Sequence, residues 1–138
     1  MTIVKFKKVN PNAERPRKAH PTDAGYDLTV VSGIKVNSGL YEYNSGIALE
    51  LPEGHCALIF PRSSVSNTGA FLANSIGLVD QNFRGEIKVR FYATSAPYGL
   101  GERMAQLVIL PLPSVVFEEV EKLGETDRNV GGFGSTGK

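Results

Sequence analysis

The sequence has one cysteine, two histidines and no tryptophan among its 138 residues. A lone Cys56 excludes an intrachain disulfide, and Cys56, His20 and His55 are too few to build a structural zinc site. A reduced, intracellular setting follows as the expectation: the cytoplasm, or the host's cytoplasm if the source is viral. No apolar run approaches the length that crosses a bilayer, and the start, "MTIVKFKKV", lacks the long apolar core of a secretory leader, so no membrane partner is expected. Fifteen basic residues against fourteen acidic ones exert no global pull toward nucleic acid, and no basic stripe interleaved with aromatics supplies a local one. Lys5, Lys7, Lys8, Arg15, Arg17 and Lys18 gather early and Glu118, Glu119, Glu121, Glu125 and Asp127 late, each group reading as a solvated face.

Helical periodicity is missing too. No stretch of ten or more residues spaces its apolar positions for a helix without a Gly or Pro interrupting it. What recurs is the short β run: residues 47–51 and 87–91 alternate, and residues 56–60, 104–110 and 115–120 are apolar or β-branched. Turn formers separate these runs, among them Asn37-Ser38-Gly39, Pro52-Glu53-Gly54 and Pro97 to Gly101. Many short strands in a chain of this size predict one all-β domain, a sandwich or closed barrel, with a short helix at residues 63–68 only.

Four segments carry candidate chemistry. In "AHPTDAGYDL", residues 19–28, Asp27 opens a strand and is either a turn cap or a metal- or phosphate-linked acid. "PRSS", residues 61–64, ends an apolar strand on a forked cation and two hydroxyls, which suits phosphate but also begins many ordinary helices. "NSIGLVDQNFRGEI", residues 74–87, reads as a hairpin with Asp80 at its tip, a turn former or a carboxylate able to deprotonate water. "RMAQLV", residues 103–108, sets Gln106 in an apolar strand, as a satisfied core amide or at a pocket wall.

The fifth segment is "VGGFGSTGK", in which Gly132 to Lys138 matches the first seven positions of a phosphate-cradling P-loop. That loop needs a following Ser or Thr and a helix, and none follows Lys138, so an NTPase loop is not expected. Glycines, hydroxyls and one Phe nevertheless suit a mobile segment that touches phosphate and stacks on a ring.

Taken in order, "AHPTDAGYDL", "PRSS", "NSIGLVDQNFRGEI", "RMAQLV" and "RNVGGFGSTG" resemble the five motifs of the trimeric dUTP pyrophosphatase (dUTPase) family. The resemblance implies a jelly-roll-like all-β fold that assembles as a homotrimer, with residues 1–127 as the β domain and residues 128–138 as a flexible arm over a neighbour's site. It implies hydrolysis of dUTP to dUMP and pyrophosphate by water attacking the α-phosphorus with Mg²⁺, supplying dUMP for thymidylate synthesis and keeping uracil out of DNA. Asp80, Gln106 and Arg62 would be catalytic, and Arg62, Ser63 and Ser64 would hold phosphates. Asn74, Leu78, Val79 and Lys88 would bind uracil and Gly77 would also bind substrate, while Phe83, where relatives often carry Tyr, would pack under deoxyribose. Asp27 would reach Mg²⁺ through water and Arg128 would clasp the γ-phosphate. In the arm, Phe133 would stack on uracil, with Gly134, Ser135 and Thr136 on phosphates. Asn129 stands where relatives commonly have Gly, a position at which Asn also tolerates a left-handed backbone. A dCTP deaminase shares the fold but uses Glu where Asp80 stands; a non-catalytic interaction protein would be expected to lack motif residues that are present here.

Overall fold

The computed structural model describes residues 1–137; Lys138 lies outside them. Within these residues the chain runs β1 (Lys5–Lys8), β2 (Tyr26–Thr29), β3 (Ser32–Asn37), β4 (Leu40–Glu50), β5 (His55–Pro61), a 3₁₀ helix (Ser63–Asn67), β6 (Phe71–Leu72), β7 (Gly77–Val79), β8 (Glu86–Tyr92) and β9 (Arg103–Pro111). One antiparallel sheet has the order β1-β4-β8-β6, with β3 also on β4; the other has the order β2-β9-β5-β7. The two-sheet, all-β architecture and the single short helical turn are those expected from the breaker pattern.

Period-2 alternation decides which faces meet. In β8, Ile87, Val89 and Phe91 are buried while Lys88, Arg90 and Tyr92 are exposed. Tyr41, Tyr43 and Leu49 of β4 join them in the core, facing Leu28 of β2, Ala57 and Ile59 of β5, and Ala105 and Leu107 of β9. Cys56 is buried in β5, as a core residue rather than an exposed nucleophile. Phe91 is fully buried, edge-on to Tyr43 at 6.1 Å and tilted against Tyr98 at 5.2 Å between ring centroids. The Tyr43 hydroxyl accepts a hydrogen bond from the Tyr98 amide at 3.2 Å, and burial raises the pKa of both phenols above the ordinary value. Removing this ring by Phe91→Ala is expected to cost about 3–5 kcal/mol of unfolding free energy, readable from the urea midpoint.

Two expectations fail. Residues 115–120 form no strand, and Val116 and Phe117 are almost wholly exposed. Their β-branched content is local, whereas a strand needs a partner ladder. β9 ends at Pro111, Pro113 has no N–H to donate, and no described strand lies alongside. Nor do residues 74–87 form a hairpin. β7 pairs with β5 and β8 pairs with β4 and β6, so the loop between them crosses from one sheet to the other. Alternation reveals which side chains turn inward; it does not reveal the strand partner, which for β7 lies some twenty residues earlier.

Candidate active site

The first constellation grows from three neighbouring strands. Antiparallel register sets Asp27 of β2 opposite Gln106 of β9, and Gln106 opposite Phe60 at the end of β5, from which Arg62 and Ser63 continue. The Asp27 amide donates to the Arg17 carbonyl at 2.8 Å, which pins the strand's opening. Asp27 is largely buried at its side chain, and its two oxygens meet two guanidinium groups: Arg62 Nε at 3.2 Å and Arg103 at 3.3 Å. Arg62 also donates to the Ser64 hydroxyl at 3.4 Å, and Gln106 Nε2 donates to the Pro61 carbonyl at 3.1 Å. Gln106 is thus a satisfied amide and a pocket wall together. Asp27, Arg62, Ser63 and Gln106, with Ala19, Asp23, Ala24 and Gly25, enclose a small polar cavity of about 230 Å³. Arg62, with the Ser63 hydroxyl and the Gln106 amide, can grip phosphate oxygens, while Asp23 and Asp27 on the same wall leave room for a cation bound with them.

Gly25 sets the depth of this cavity. A Cβ there would run into the Gln106 amide oxygen and lie 2.9 Å from the Gln106 Cβ. Gly25→Ala is therefore expected to push Gln106 off its Pro61 contact, lowering kcat about tenfold or more through misplacement. Steady-state rates with a parallel melting curve separate that effect from loss of fold.

The second constellation lies between β5 and β7 of one sheet and β8 of the other. Asn74, Gly77, Lys88 and Arg90, with Ile59, Ala73 and Val89, line a cavity of about 260 Å³. Gly77 pairs with Ile59, and a Cβ on Gly77 would come 3.0 Å from the Ile59 Cβ, so the backbone approach depends on glycine. Val79 turns into the core and Leu78 outward, and of β7 only Gly77 lines this cavity. Asp80 follows directly, exposed, with its carbonyl accepting from the Phe83 amide at 3.1 Å in a tight turn. The Phe83 ring covers Gly85 so closely that a Cβ there would lie 2.5 Å from it. Nitrogen donors over a small, mostly apolar hollow suit a planar polar ring.

The arm stays apart from both cavities. Arg128 Nε donates to the Gly131 carbonyl at 2.8 Å, and Ser135 donates its amide to Gly132, so its contacts are local turns. Phe133 is fully exposed, and Gly134, Ser135 and Thr136 line neither cavity. Asn129 does adopt the left-handed region, at φ 43°, and exchanges hydrogen bonds with Thr126 at 2.9 and 3.0 Å. Sequence reading missed Asp23, Gly25 and Arg103, although each sits inside a quoted segment. For Arg103 the signal is register, since β2 beside β9 brings it to Asp27; Asp23 and Gly25 lie in the loop before β2, which has no register to read.

The sequence model of the dUTPase family matches residues 11–137. The chain belongs to the dUTPase family. Curated family members named deoxyuridine 5'-triphosphate nucleotidohydrolase match nearly end to end. That of Rhodococcus erythropolis is 40% identical over 97% of this chain and 85% of its own length. The Corynebacterium glutamicum protein is 37% identical over 100% of this chain and 97% of its own. Among solved structures, a Staphylococcus bacteriophage 80alpha dUTPase mutant with dUpNHpp superposes with a TM-score of 0.87 at 23% identity, covering 100% of both chains. The fold is thus the dUTPase fold. Among the described residues no helix is long and apolar enough to cross a membrane.

Proposed function

We propose that this dUTPase-family chain hydrolyses dUTP to dUMP and pyrophosphate by attack of water on the α-phosphorus. The observation that carries the reading is the pair of cavities: one polar, where three motif segments bring Arg62, Ser63 and Gln106 beside Asp23 and Asp27, the other a donor-lined hollow that includes Asn74 and Gly77 of a fourth. On this reading Arg62, Ser63 and Ser64 bind phosphate oxygens and Gln106 orients the α-phosphate and the water. Asn74, Gly77, Leu78, Val79 and Lys88 receive uracil, and Phe83 packs against deoxyribose. Asp80 takes the proton from the attacking water, and the charge building on the phosphate is met by Arg62, Gln106 and Arg128, with no covalent intermediate.

The cavities share no lining residue within one chain. A homotrimer in which neighbours combine them, with the arm, residues 128–138, closing from another subunit, accounts for that separation. Closure brings Phe133 onto uracil and Gly134, Ser135 and Thr136 onto phosphates while excluding bulk water. Residues 1–127 are the β domain that holds the site, and the cytoplasm is its place of work. Neither nucleic acid nor a membrane enters the scheme.

The donor set fits Mg²⁺ arriving with the triphosphate. Asp23, Asp27, Ser63 and Gln106 offer hard oxygens, yet the described residues hold no group of three acidic, His or Cys side chains that could bind an ion directly. Asp27, already committed to Arg62 and Arg103, would hold it through water. When bound, the ion neutralises the triphosphate and polarises the α-phosphorus.

Incubation with Mg²⁺ and each of dUTP, dCTP, dTTP and UTP, following pyrophosphate and ammonia separately, tests the assignment. Pyrophosphate from dUTP alone supports it. Ammonia from dCTP would make the chain a deaminase, and silence on all four would favour an interaction protein.

A further inference from the structure

We propose that Glu86 is a positioning residue for the Asp80 loop, acting by filling a bulge in β4. The inference rests on the roles given above to Asp80 and Phe83. β4 and β8 pair regularly from Leu40 with Tyr92 to Asn44 with Lys88, and pairing then resumes only at Ala48 with Glu86. Ser45, Gly46 and Ile47 therefore face a single residue, Ile87, and the ladder is broken where β8 begins. Backbone groups opened by such a break need other partners.

Glu86 supplies them. Its Oε1 accepts from the Gly46 amide at 3.0 Å and its Oε2 from the Asn44 side-chain amide at 3.2 Å, in a half-buried setting. Beside it the buried Ser45 hydroxyl donates to the Ile87 carbonyl at 2.7 Å. Gly46 sits at φ 71°, and a Cβ there would lie 2.8 Å from that of Ala13, so residues 9–13 pack against the bulge closely enough to require glycine. Its carbonyl also accepts from the Val9 amide at 2.8 Å. The bulge is thus held from behind, and the Glu86 carboxylate ties the first residue of β8 to it.

The loop at residues 80–85 hangs between this anchor and β7. Within it, Arg84 donates to the carbonyls of Gln81 at 2.7 Å and Phe83 at 3.1 Å, and Gln81 accepts from the Gly54 amide at 2.8 Å. Those contacts are exposed; the Glu86 pair is the half-buried one. Both Asp80 and Phe83 precede Glu86 by a few residues, in a loop whose own hydrogen bonds are exposed and whose half-buried anchor is Glu86. Loss of the carboxylate would leave the fold's core intact and let the loop drift.

Glu86→Ala is expected to lower kcat on dUTP about tenfold or more with KM changed less than about threefold, and to narrow the preference for dUTP over UTP because Phe83 moves with Asp80. Amide hydrogen exchange over residues 80–85 should quicken without nucleotide present. Glu86→Gln should stay within about threefold of the parent, since its oxygen can still accept from Gly46 while the Asn44 amide turns to meet its nitrogen. A merely stabilising Glu86 would lower the melting temperature of Glu86→Ala while leaving kcat per folded molecule and loop exchange unchanged, and that result overturns the proposal. If Glu86→Ala does not fold, Asn44→Asp sets a second carboxylate against Glu86 in nearly the same shape. The same kinetic and exchange signature is then expected, and parental behaviour refutes it. An unmutated protein silent on dUTP would defeat the functional reading alone, leaving the exchange comparison to decide the clamp.

Discussion

Asp80→Asn is expected to reduce kcat on dUTP by about 10²–10⁴-fold, the usual contribution of a positioned general base, while nucleotide binding persists. Asn keeps the shape and loses the ability to take a proton. The Asp80 side chain is exposed and makes no ion pair or hydrogen bond among the described residues, so the exchange should shift unfolding free energy by no more than about 0.5 kcal/mol. Titration with a non-hydrolysable dUTP analogue gives the binding side of the comparison. Near-normal turnover would remove Asp80 from the role of base and direct attention to other groups near the β7 rim.

Deletion of residues 131–138 is expected to cut turnover on dUTP by about a hundredfold or more with the melting temperature almost unchanged. Stability should hold because Phe133 is fully exposed and, among the described residues, the hydrogen bonds lost run only to Arg128 or within the deleted segment. Activity should fall because the deletion removes the ring proposed to cover uracil and three residues proposed to close over phosphates. The present arm conformation is self-satisfied: Arg128 donates to the Gly131 carbonyl, a neutral acceptor. A phosphate oxygen offers that guanidinium a stronger, charge-assisted bond, so substrate can recruit the arm from its turns. A large drop in melting temperature would mean that the arm belongs to the folded core, and unchanged kinetics would mean that closure is not needed.

How far the sequence reached depends on whether a feature is local. Strand identity in β5, β8 and β9 follows from alternation and β-branched content, and the buried Ile87, Val89 and Phe91 follow from the same period. The short helical turn after Pro61 was legible from its hydroxyl residues, although its N-cap is Arg62 and no side chain caps it. Asn129 in the left-handed region follows from its residue type. Pairing did not follow. The loop at residues 80–85 joins two sheets rather than two strands of one, because the β7 partner is β5. Residues 115–120 look like a strand by composition and find no ladder. At the site, Asp27, Arg62 and Gln106 were legible as motif residues and do meet in one cavity. Arg103 and Glu86 were not, since their partners, Asp27 and Gly46, become neighbours only through register and a bulge.

Hydrolysis of dUTP in water enriched in oxygen-18, with mass analysis of both products, tests the central claim most directly. Attack on the α-phosphorus predicts the label in dUMP and none in pyrophosphate. Label in pyrophosphate would place the attack on the β-phosphorus and contradict the roles proposed for Asp80, Gln106 and Arg62 together.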